Sequence, residues 1–230
     1  METIKNKFYS ILAHKYAVIG VMILATGLSY LDRNYGFFFG LGIVFLLLRK
    51  NKYKWSEFGF GKKFTKDTLI QSLIYTVLIT VLSYVFIDPF LEMYFGKMDL
   101  SSLDDIRGNF VGYVALMLVM WVFAAFGEEL LFHGYYMKKL AELLGDSDKA
   151  WFVSAILISV YFGASHNYQG TTGMISVGLA NFFSALIFYK NRTNLTLLIL
   201  IHGFYDSIGI TLIYLNKDQV IYDWMMTIVN

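Results

Sequence analysis

The 230-residue chain is 57% hydrophobic and only 16% charged, with a formal net charge of +2 and a mean hydropathy of +0.55. So little charge argues against a soluble domain of this length, and the small net charge gives no case for a nucleic-acid partner. Cys is absent, which removes disulfides, thiolate nucleophiles and Cys-ligated metals.

In chain order, a basic start (Lys5, Lys7, Lys15) precedes the first apolar run, Tyr16–Leu31. No A-x-A-like cleavage site follows it, so it reads as a membrane span and not as a signal peptide. Further apolar runs occupy Tyr35–Leu48, Thr68–Ile87, Phe110–Leu131, Trp151–Ser165, Thr171–Tyr189 and Asn194–Leu215. A helix needs about 20 mostly apolar residues to cross a bilayer. The second and fifth runs are short and need help from their flanks.

The expectation is therefore all-α: a polytopic transmembrane helix bundle of about seven spans (six to eight), forming one membrane domain over residues 1–230. Val220–Val229 is apolar but reads as an interfacial segment. The most basic connection, Arg49–Lys66, predicts a cytoplasmic face and a cytoplasmic N-terminus. Asp88–Gly108 is acidic and reads as a loop on the opposite side, with the only Pro, Pro89, inside it. The composition suits the cell membrane of an AT-rich bacterium.

Ionisable groups in membrane helices cost at least a few kcal/mol and by default face the protein interior or a water-filled cavity. Glu128 and Glu129 end the run WVFAAFGEELLFHG. Glu129 and His133 are four apart and share a helix face, whereas Glu128 points about 100° away. His166 closes YFGASH, and His202 and Asp206 share a face in LIHGFYDS. A lone membrane His is usually a helix–helix hydrogen-bonding partner. Three separate helices each bearing such groups favour a shared functional site. Gly127, Gly134, Gly163 and Gly203 flank these positions and would let the helices approach closely.

A carboxylate with two histidines can hydrolyse a bond in two ways. It can bind Zn2+ with an open water position, here through Glu128, His166 and His202. Alternatively Glu acts as general base on water with no cofactor, one His assisting and the other, with Asp206, stabilising the oxyanion. No H-E-x-x-H is present. A small proton-linked transporter would also use buried Glu, Asp and His, but no repeated half or Pro-broken helix pair is visible.

The motifs EELLFH (Glu128–His133), FGASH (Phe162–His166) and HGFYD (His202–Asp206), in this order on successive apolar helices, resemble the CPBP family. That family comprises CAAX-type prenyl endopeptidases and bacterial bacteriocin-processing and self-immunity proteins, also called Abi or lysostaphin-resistance-A-like. The resemblance spans about Phe110 to Asp206, with a loose further match at EFGFG in the basic connection. It implies an intramembrane endopeptidase acting on a peptide precursor or membrane-associated protein. It also implies roles: Glu128 activates water, His166 assists, His202 and Asp206 hold the scissile carbonyl oxygen, and Glu129 is a structural partner of the motif Arg.

The chain departs from the pattern at His133, where the family has Arg, and more mildly at Asp206, where Asn is frequent. The first departure opens the alternative of a non-catalytic immunity or partner-binding protein of the same fold. One tension remains: Glu128 falls near one end of its span and His166 near the opposite end of the next. The expected resolution is a Glu helix continuing through His133–Leu144, with Lys138 and Lys139 snorkelling.

Overall fold

The computed structural model describes residues 2–50 and 52–229. Asn51 of the basic connection and the Lys5 side chain lie outside the described residues. The helices are α1 (Glu2–Leu12), α2 (Ala17–Ser29), α3 (Arg33–Arg49), α4 (Lys66–Phe95), α5 (Phe110–Leu143), α6 (Asp148–Ser165), α7 (Gly170–Lys190), α8 (Leu195–Tyr214) and α9 (Val220–Val229). Among the described residues there is no strand, only an isolated antiparallel bridge between Phe60 and Asn194.

Polar side chains start several of the helices. Asp32 accepts from the Asn34 amide at 2.8 Å, Thr65 from Thr68 at 3.2 Å and Asn109 from Gly112 at 3.1 Å, each satisfying an amide that helix geometry leaves open.

Every expected span falls on a helix, but four are long and apolar enough to cross a membrane: α4, α5, Leu195–Tyr214 and the helix that includes α7. α2, at 13 residues, is too short by length alone, and α9, at 10 residues, rises only about 15 Å. The helix bearing Glu128 does continue to Leu143.

Lys138 and Lys139 do not snorkel, however. The Lys138 ammonium donates to the Glu57 carbonyl, and Lys139, 9% exposed, pairs with Glu142 at 2.6 Å and lies 4.3 Å over the Tyr53 ring. The protein satisfies these charges itself, so they need not reach solvent.

The acidic connection also begins later than its composition suggests. Asp88, Pro89 and Glu92 belong to α4, not to a loop. Ahead of Pro89 the helix widens to i→i+5 hydrogen bonding over Leu82–Ile87, which accommodates the missing N–H and the ring.

Contacts divide the chain into two compact units. The first comprises Met1–Lys63, Gly127–Ile158 and Ala185–Thr196. Its fully buried side chains include Phe58, Leu130, Tyr135, Tyr136, Met137 and Phe188. Gly134 lies against the Phe58 carbonyl, which a Cβ would meet at 3.0 Å.

The second unit comprises Phe64–Phe126, Ser159–Ser184 and Leu197–Asn230. Its core gathers Ile106, Met120, Ala125, Ile210 and Ile213. Arg107 fastens the connection before α5 to Asp218, at 2.6 and 3.0 Å, and to Asp104 at 2.9 Å.

Here α4 is patterned inside out. Ile74, Val77, Leu78 and Val81 form an exposed stripe, while Thr68, Ser72, Thr76 and Ser83 are buried. The Thr76 hydroxyl reaches the Ile201 carbonyl at 3.4 Å. A helix solvated by lipid gains nothing from burying its apolar face, so packing and interhelical polar contacts choose the inward side.

Candidate active site

Residues Met120–Met137 of α5 form a long widened helical stretch that carries Glu128, Glu129 and His133 in the first unit. Such widening concentrates at functional sites in other proteins. Glu129 and His133 meet as their spacing predicts, with Oε2 2.6 Å from Nδ1 and exposures of 3% and 0%. The His133 ring sits edge-on to Phe188 with centroids 6.1 Å apart. Glu128, one residue earlier, is half-buried.

His166, His202 and Asp206 lie in the second unit. His166 caps the end of α6, and its Nδ1 lies 2.9 Å from the Phe162 carbonyl oxygen. A carbonyl only accepts, so Nδ1 carries the proton and Nε2 keeps its lone pair, the tautomer a base requires. The Phe162 ring lies tilted against His166 at 4.7 Å and meets His202 edge-on at 6.4 Å, so it touches both imidazoles. Burial holds the His166 imidazole below its ordinary pKa, and nearby His202 acts in the same direction; the Phe162 carbonyl and Asp206 oppose them.

His202 and Asp206 share a face of α8, with Nε2 3.3 Å from Oδ2. Close helix approach supports this region. A Cβ on Gly163 would meet the Met174 carbonyl at 2.5 Å, and one on Gly203 would meet the Trp121 ring at 2.3 Å. Small residues are therefore required at both positions.

The structure adds polar groups that the motifs do not mark. The Ser176 hydroxyl donates to Asp88 Oδ1. The Tyr84 hydroxyl abuts Gly209, its ring lies 5.6 Å from Tyr205, and it is within electrostatic reach of both Asp88 and Asp206. The available signal was an acid immediately after an apolar run.

Among the described residues, no three His, Asp or Glu side chains are gathered as a metal-ligand set.

Residues 110–208 match the family model described as type II CAAX prenyl endopeptidase Rce1-like, just under half of the chain. This segment is similar to that family. All six motif side chains, from Glu128 to Asp206, fall inside the Rce1-like segment, and the resemblance read from the motifs holds over it. The family is one of proteases. None of the curated proteins and none of the solved structures compared with the chain matches it.

Proposed function

We propose that this protein is an intramembrane endopeptidase that cuts a peptide precursor or membrane-associated protein with a glutamate-activated water. The observation that carries this reading is the His166 imidazole, held by a backbone carbonyl as the base-competent tautomer inside an Rce1-like segment that also contains Glu128 and the His202–Asp206 pair.

In the proposed reaction, Glu128 takes a proton from water as the oxygen attacks the scissile carbonyl carbon. His166 Nε2 accepts a hydrogen bond from the same water and keeps it oriented. The carbonyl oxygen becomes an oxyanion, which the His202 imidazolium stabilises from Nδ1 while Asp206 balances the charge at Nε2. The tetrahedral centre then collapses: the C–N bond breaks, and the departing nitrogen takes the proton held by Glu128. Glu129 and His133 hold the helix that presents Glu128. The chain is proposed to cross a bacterial cell membrane about seven times as one membrane domain, with a cytoplasmic N-terminus.

The test is a reconstituted assay of candidate propeptides with wild type, Glu128→Ala and His166→Ala, accompanied by metal analysis of the purified protein. Loss of cleavage in both variants is expected. Cleavage unchanged by both would overturn the proposal, and toxin protection surviving both would favour a binding protein of the same fold.

A further inference from the structure

The basic connection after α3 is a folded platform. Tyr53 is buried, and its hydroxyl donates to the Ala13 carbonyl. Phe58, 2% exposed, packs edge-on against Tyr53 at 5.6 Å and lies 6.4 Å from Tyr135. The Gly61 and Lys62 amides both donate to the Thr193 carbonyl at 3.0 Å, and the Leu195 amide donates to Gly59 at 2.9 Å. Gly59 adopts φ 97°, a conformation that favours glycine. From below, the Lys138 ammonium holds the Glu57 carbonyl.

These contacts secure the backbone and leave the charge outside. Arg49, Lys50, Lys52, Lys54, Lys62 and Lys63 are all exposed, and among the described residues none of the six forms an ion pair. Glu57 is the single acid between Arg49 and Lys63, and its Oε1 accepts the Lys54 amide at 2.9 Å. Exposed Phe45 and Trp55 stand side by side at 6.3 Å. Phe45 lies in the last turns of apolar α3, whose end at Arg49 begins the basic run. An apolar helix, then exposed aromatics, then exposed cations follows the order of a bilayer leaflet: hydrocarbon, headgroup, anionic surface.

We infer that the Arg49–Lys63 platform is a binding surface for anionic lipid headgroups, with the phosphates received by its exposed cations and the Phe45–Trp55 pair seated at headgroup level. A prefolded cation array binds phosphates without first being ordered, so it favours anionic over zwitterionic lipid.

The test uses the full-length protein in neutral detergent, titrated with phosphatidylglycerol or phosphatidylcholine and read by native mass spectrometry as bound lipid. Phosphatidylglycerol should bind at least about tenfold more tightly than phosphatidylcholine, since each surface cation contributes roughly fivefold. Replacing Lys52, Lys54, Lys62 and Lys63 by Gln should abolish the preference, and replacing the same four by Arg should retain it. Paired variants (Lys52 and Lys54, or Lys62 and Lys63) should each lose part of it if the fourfold Gln variant loses helicity. Equal binding of the two lipids, a preference surviving the Gln changes, or a preference lost in the Arg variant would overturn the inference. So would inorganic phosphate displacing the lipid more than chloride does at equal ionic strength, which would indicate a free-anion site.

Discussion

Two histidine–carboxylate pairs occur in this chain at the same four-residue spacing, and their surroundings differ. Glu129 and His133 are 2.6 Å apart and shut away in the first unit, against aromatic packing. His202 and Asp206 are 3.3 Å apart in the second unit, with side chains 15% and 26% exposed, and Phe162 and His166 stand next to them. A sealed pair can hold a helix in place but has no route for a substrate. A partly open pair next to a tautomer-locked imidazole can exchange protons with a water or a carbonyl. Helical spacing makes both pairs, and burial distinguishes them.

The sharpest way to break this comparison is to remove one histidine from each unit. His166→Ala should lower kcat/KM for a cleaved peptide by about 10²- to 10⁴-fold while changing the unfolding midpoint little. With wild type, the assisting His166 imidazole should stay neutral to below its ordinary value of about 6.5, because burial holds its pKa down. The matching contribution to folding stability is complete above the unfolded-state value of about 6.5 and is lost as pH falls through the lower folded-state value. A pH–rate profile whose acid limb lies above 6.5 would contradict the assignment.

His133→Ala should do the reverse. It removes the imidazole from the buried pair with Glu129, for a loss of up to about 3–5 kcal/mol in denaturant unfolding within micelles. His133→Arg, which restores the family's residue, should lose less because the partner charge is kept. If His133→Ala proves as stable as wild type, the sealed pair is not structural.

Gly203→Ala probes whether the open site depends on close helix packing. Its Cβ would collide with the Trp121 ring, and about 1–3 kcal/mol of destabilisation is expected, with reduced activity wherever His202 moves. Wild-type stability in this variant would show that the ring can yield.

Asp218→Asn should have the smallest effect, about 0.2–1 kcal/mol, read as a lower thermal midpoint at neutral pH. Arg107 holds the Asp218 carboxyl below its ordinary range, so the wild-type advantage is present above about pH 3.9 and disappears as pH falls through the lower folded value. A wild-type advantage that persists at pH 2 would rule out the ion pair as its source.

Much of the architecture was legible because it is written locally. Runs such as Thr68–Ile87 and Asn194–Leu215 announce helices by composition, and both are helical, the first running on through Pro89 to Phe95. The pairs Glu129–His133 and His202–Asp206 follow from helical spacing alone. Glu142 lies within helical reach of Lys139, but the Glu57 carbonyl that holds Lys138 and the Tyr53 ring against Lys139 were not legible, because they lie some eighty residues away in sequence. Composition could show only that two charges followed an apolar run, and snorkelling was the local answer to a tertiary question. Asp88 was misplaced for the same reason: its Ser176 partner lies on another helix.

By itself, then, the sequence determined the all-helical, apolar character of the chain, the order of the three motifs and the two spaced pairs, since each depends on residues a few positions apart. Only the tertiary structure decided that one pair is sealed and the other partly open. The same is true of Phe162 touching two imidazoles and of the helix continuing past His133 with its lysines partnered inside the protein. Those outcomes depend on which distant side chains exclude solvent from a charge, and helix periodicity carries no record of that.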